Sequence, residues 1–214
     1  MPSSRTALAA ASALVAALCT PLLAAPTASA APAEYADDFN GDGYRDYAYG
    51  ESVTDAGSDG SGTVGVIYGT ATGPNGRKQN ITQNSAGVPG ANEWDDGFGN
   101  AMTAADFNRD GYPDLAVAAP GEDLGGHADA GAVHILRGSA SGLTGSKSQF
   151  FDRASSGVPG DLEAGESFGE RLRLRDSDRD GHADLFTDYL RLRGHSGGIT
   201  ASGIQQTVWS DFTE

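Results

Sequence analysis

One acidic nonapeptide is written three times in this chain, as DFNGDGYRD at 38–46, DFNRDGYPD at 106–114 and DSDRDGHAD at 176–184, with starts 68 and then 70 residues apart. Each copy sets oxygen-bearing side chains at positions 1, 3, 5 and 9 around a glycine at position 6. A hard divalent cation such as Ca2+ takes about six to eight oxygens, and a short loop must curl tightly to converge them. The candidate side-chain ligands are Asp38, Asn40, Asp42 and Asp46; Asp106, Asn108, Asp110 and Asp114; and Asp176, Asp178, Asp180 and Asp184. Gly43, Gly111 and Gly181 are expected to supply the turn. Asp, Asn and Gly also make ordinary turns, but a turn does not need four such side chains at fixed offsets, three times over. An EF-hand is excluded because position 12 is Tyr49, Val117 or Thr187 instead of glutamate. The run LAVAAP at 115–120 reads as a short strand, so these loops join strands.

Residues 1–30 read as a secretory signal peptide, with Arg5, an apolar stretch from Ala7 to Ala25, and a cleavage signal that ends at Ala30. Its alanine content, Pro21 and Pro26 argue against a membrane anchor. Cys19, the only cysteine, leaves with this leader; Leu18 before it is larger than a lipidation signal favours. The mature chain is thus expected outside the cell, with no membrane span and no disulfide, so bound ions are a natural source of stability. Once Arg5 is removed, 13 basic residues face 29 acidic ones. That balance excludes nucleic acid and anionic membranes as partners. Ten of the acidic residues are aspartates of the three loops, and their mutual repulsion would be relieved by a cation. Two lysines beside twelve arginines, in an alanine- and glycine-rich chain, suggest a GC-rich bacterial genome.

The repetition extends beyond the loops. SAGVPG at 85–90 recurs as SSGVPG at 155–160, Phe98-Gly99 as Phe168-Gly169, and GTATG at 69–73 as GSASG at 138–142. A period near 70 with short strands and glycine-rich turns is the signature of propeller blades or a related β-repeat. The stretch from Phe98 to Asp123, FGNAMTAADFNRDGYPDLAVAAPGED, followed by GAVHILRG, resembles the FG-GAP repeat of integrin α-chain β-propellers and their bacterial relatives. Ala118-Ala119-Pro120 stands for the Gly-Ala-Pro element.

The resemblance implies an all-β fold of FG-GAP, integrin-α-like propeller blades, with repeats at 31–96, 97–166 and 167–214, about two and a half blades in all. It implies Ca2+ as the bound ion, and adds the backbone carbonyls of Tyr44, Tyr112 and His182 at position 7 to the ligand sets. Repeat one lacks its Phe-Gly strand and has Tyr49-Gly50-Glu51 where the Gly-Ala-Pro element belongs. The third loop reaches Gly194 ten residues after Asp184, where the second takes 24 from Asp114 to Gly138, which reads as the loss of about a strand and a turn. So few blades leave open faces and edges, which favours self-association.

The expected function is a secreted, non-catalytic binding or adhesion module for an extracellular protein or carbohydrate. One alternative is a degenerate fragment of a larger propeller protein. A second is an exported hydrolase using GHSGG at 194–198, which has the GxSxG pattern of a nucleophile elbow. That motif needs a strand-to-helix turn, whereas here it falls in the register of GTATG and GSASG. His127, His134, His182 and His195 show no zinc spacing.

Overall fold

The computed structural model describes residues 33–51, 60–188 and 190–206. The leader expected at 1–30 lies outside them. The fold is all-β, with three antiparallel sheets and no helix among the described residues. The first sheet joins β1 (Tyr47–Glu51), β2 (Thr63–Ile67) and β3 (Lys78–Ile81) in that order. The second is a meander of β4 (Met102–Ala105), β5 (Asp114–Ala119), β6 (Ala132–Arg137) and β7 (Thr144–Phe151). The third repeats it with β8 (Leu172–Arg175), β9 (Asp184–Thr187), β10 (Leu190–His195) and β11 (Gly198–Gln206). Two acidic loops thus join the first and second strands of their sheets, and the first loop leads straight into β1.

The sheets pack face to face, and strand alternation divides the middle sheet between two cores. Leu115, Val117, Ala119 and Leu136 join Val64, Val66 and Ile81 between the first and second sheets. Ala116, Val133 and Ile135 join Leu185, Leu192 and Ile199 between the second and third. Because it is covered on both faces, β5 is buried along its whole length. Each core also takes the aromatic ring of a Phe-Gly pair, Phe98 in the first and Phe168 in the second. Position 2 of the first two acidic loops contributes a further ring to each, Phe39 and Phe107.

Neighbouring sheets are joined at a glycine. Phe98 donates its amide to the Ser61 carbonyl at 2.9 Å, and Phe168 donates to Ala130 at 3.0 Å. A Cβ on Gly62 would lie 2.3 Å from the Phe98 carbonyl oxygen, and one on Gly131 would lie 2.3 Å from the Phe168 nitrogen. Both glycines have positive φ, so the joint needs glycine for space and for backbone conformation.

The third sheet departs from the expectation of a missing strand. It has four strands, and the shortening falls mainly in the connection after the second strand. Residues 120–131 link β5 to β6, whereas β9 ends at Thr187 and β10 begins at Leu190, and these two residues pair. Asp188 takes φ 49° there, and its carboxylate accepts the Gly169 amide at 2.8 Å.

The outward face of this sheet is also different in kind. Along β8 and β10, leucines at 172, 174, 190 and 192 point to the core, and arginines at 173, 175, 191 and 193 point away from it. The register places Arg191 opposite Phe186, as Ile135 lies opposite Ala116. Position 2 of the third loop is Ser177 instead of phenylalanine. Among the described residues the third sheet is the last of the stack, and its outward face is charged. The first sheet instead presents Tyr47, 56% exposed, and Tyr49, with ring centroids 5.8 Å apart.

Candidate metal-binding loops

All three loops wind the same way, because side chains collect the backbone amides that follow them. In the first, Asp38 accepts from the amides of Asp42 at 3.0 Å and Gly43 at 2.8 Å, and Asp42 accepts from Tyr44 at 2.9 Å. In the second, Asp106 accepts from Asp110 at 3.1 Å and Gly111 at 2.9 Å, and Asp110 accepts from Tyr112 at 3.0 Å. In the third, Asp176 accepts from Gly181 at 2.9 Å, and Asp180 accepts from His182 at 2.8 Å. Positions 1, 3 and 5 are thereby drawn together. Asp176, Asp178 and Asp180 each place an oxygen within 4.8 Å of the others. Asn40 and Asn108 donate to Asp42 and Asp110, both at 2.8 Å.

The turn uses two left-handed residues where the sequence pointed to one. Besides Gly43, Gly111 and Gly181 at position 6, position 4 has positive φ throughout: Gly41 at 67°, Arg109 at 57° and Arg179 at 60°. Gly41 was the signal for this; the two arginines hid it. The loops line up at one end of the sheets. The Tyr112 ring lies against Gly41, where a Cβ would be 2.8 Å from it, and the Arg109 guanidinium donates to the Gly181 carbonyl.

Position 9 differs from the others. Asp46, Asp114 and Asp184 are buried, and each Oδ1 accepts the amide of a glycine at the far end of the third strand of the blade pattern. The partners are Gly69 at 2.7 Å, Gly138 at 3.0 Å and Gly194 at 3.0 Å. This threefold bond matches Gly194 with Gly138 and Gly69. The other oxygen is held as well: by the Phe39 amide at 2.8 Å, by Arg137 Nη1 at 2.8 Å, and by the Ser177 amide at 3.1 Å. The position-9 aspartate thus braces loop to sheet, a role that spacing alone did not reveal. Burial pushes the Asp114 carboxyl up to about 6 against the opposing pull of Arg137. Burial also raises Asp46 and Asp106.

The residue before each of those glycines reaches toward the next sheet. Tyr68 accepts the Leu143 amide at 2.9 Å, and Arg137 Nη2 donates to the Gly197 carbonyl at 3.2 Å. Gln79 and Gln149 reinforce the same two seams by donating to the carbonyls of Leu143 at 2.7 Å and Ile199 at 2.6 Å. The corresponding residue of the third sheet, Arg193, turns back on its own loop. It contacts Asp178 at 2.9 Å and Asp180 at 3.0 Å, while Arg191 contacts Asp178 at 2.8 Å and Asp184 at 3.2 Å. The His182 amide and Arg193 hold the Asp180 carboxyl below its ordinary value.

GHSGG forms the hairpin between β10 and β11, with His195 paired to Gly198, so Ser196 lies at a strand-to-strand turn. His134 is fully buried between Phe98 and Phe150, with ring centroids 5.1 and 5.0 Å away, and burial lowers it to about 4. At the opposite end of β5 from the loops, Glu122 is 4% exposed and accepts a bond from Gln83; burial pushes it up to about 7.

Comparison with known proteins places residues 98–136 within the FG-GAP repeat family. Phosphatidylinositol-glycan-specific phospholipase D of Rattus norvegicus is 30% identical over 171 residues, 77% of this chain and 19% of the relative. The Mus musculus protein of that name is 30% identical over 177 residues, 81% of this chain and 19% of the relative. Integrin alpha-IIb of Mus musculus is 40% identical over 90 residues, 41% of this chain and 8% of its own length. The chain spans about a fifth of the phospholipase D relatives it matches.

Proposed function

This chain is an FG-GAP repeat protein, and from that premise we propose that it is a calcium-stabilised binding or adhesion module that acts outside the cell without catalysis. The observation that carries the reading is the common winding of the first two loops, whose position-1, -3 and -5 side chains are gathered at one end of adjacent sheets. Carboxylate and amide oxygens suit a hard cation. Asp38, Asn40, Asp42, the Tyr44 carbonyl and Asp46 would hold one ion. Asp106, Asn108, Asp110, the Tyr112 carbonyl and Asp114 would hold another. Calcium would neutralise clustered carboxylates and fix the loops that lean on one another through Tyr112 and Arg109. Among the described residues no helix is long and apolar enough to cross a membrane. The ligand class that suits such a module is an extracellular protein or carbohydrate, met by the loops between strands. The test is thermal melting of the chain in calcium and in chelator: a higher melting temperature in calcium is expected, and coincident curves would overturn the reading.

The similarity to phospholipase D motivates a second reading, a hydrolase. The candidate nucleophile that the GxSxG pattern offers is Ser196, and the hairpin around it lacks the strand-to-helix turn that the nucleophile elbow requires. An esterase or phosphodiesterase activity abolished by Ser196→Ala would establish that reading in place of the first.

A further inference from the structure

We propose that Arg191 and Arg193 occupy the place of a cation in the third acidic loop, so that the chain takes calcium at its first two loops and closes the third with its own guanidinium groups. The inference rests on the calcium reading above and goes beyond it by separating three loops that look equivalent in sequence.

The carboxylates at positions 3 and 5 of the third loop are engaged from β10 by three contacts of 2.8–3.0 Å. Arg191 also reaches the buried position-9 residue, Asp184, at 3.2 Å. Two guanidinium groups therefore meet three of the four aspartates that a divalent ion would need. Planar guanidinium forks satisfy carboxylates well and remain charged at all working pH values. A cation entering the loop would have to break these contacts and face two fixed positive charges.

The other two loops are built differently at the matching positions. Glycine pairing aligns Arg193 with Arg137 and Tyr68, and Arg191 with Ile135 and Val66. Ile135 and Val66 are buried between sheets. Arg137 is spent on Asp114, Gln149 and the third sheet, and Tyr68 on the second. Ion pairs near the first two loops engage Asp37, which precedes the ligand set, and Asp114 at position 9. Arg191 and Arg193 are free to turn onto their loop because, within the described residues, no fourth sheet packs on that face. A third loop folded without metal would keep the charged end of the stack ordered when calcium is scarce.

Isothermal titration of the intact chain with calcium alone decides the matter. Two ions per chain are expected, and Asp180→Ala should leave that number at two. The double substitution Arg191→Val with Arg193→Tyr, which copies the first sheet, should raise it to three. Three ions in the unmodified chain, a fall on Asp180→Ala, or a folded double variant still at two would overturn the proposal. Should the double variant fail to fold, the unmodified chain and Asp180→Ala still decide. An unmodified chain that binds no calcium would sink the functional reading itself, a result distinct from all of these.

Discussion

Across the joint between the second and third sheets, Phe168 donates its backbone amide to the carbonyl of Ala130 at 3.0 Å. The bond forms only because the next residue, Gly131, has no side chain: a Cβ there would lie 2.3 Å from the Phe168 nitrogen, on a residue with φ 81°. Gly131→Ala should therefore cost about 2–4 kcal/mol, read as a lower urea midpoint with an unchanged slope. A loss below about 0.5 kcal/mol would show that the joint yields.

Asp110→Ala should remove more of the calcium-dependent rise in melting temperature than Asp42→Ala. The second loop is held between two strands of its own sheet, β4 and β5, whereas among the described residues the first has a strand only after it. Affinities on the order of 0.1–1 mM are expected for an extracellular module. Paired melting scans of the two variants, with and without calcium, check the ranking.

Glu122 gives the fold a pH dependence of definite sign. Its folded value near 7 lies above the ordinary 4.5, so its favourable contribution is complete below about 4.5 and is lost as pH rises through about 7. Glu122→Gln should raise stability at pH 8 by about 1–3 kcal/mol and change little at pH 4.5. Denaturation curves at both pH values would contradict this if the variant gained nothing at pH 8.

The outward tyrosines of the first sheet should drive self-association. Tyr47 and Tyr49 stack on a sheet face that no other sheet covers among the described residues, and Gly65 beneath Tyr49 leaves its ring flat against the sheet. Tyr47→Lys with Tyr49→Lys should convert an associating chain to a monomer in light scattering. Equal masses before and after the substitution would move the contact elsewhere.

Much of this was legible in the sequence, for identifiable reasons. The offsets of the acidic side chains, the Phe-Gly pairs and the repeat period are fixed in residue number, so the loops and sheets could be read directly. The strand count of the third repeat could not. Fourteen missing residues between Asp184 and Gly194 looked like a lost strand because spacing does not distinguish a strand from the connection beside it. The position-9 brace was hidden because spacing does not distinguish an aspartate that also holds backbone amides from one that serves an ion alone. The arginine contacts had a visible sign in the alternation LRLR on β8 and β10, but its meaning depends on no further sheet lying beyond.

The different end faces of the stack also set the symmetry of any assembly. Had both been apolar, the third sheet of one copy could cover the first sheet of the next, and such head-to-tail contacts repeat without end. The arginine row on β8 and β10 removes one of the two surfaces that a filament requires. If the tyrosine face drives association as predicted above, it would meet its own twin across a two-fold axis, an arrangement that is complete at two copies.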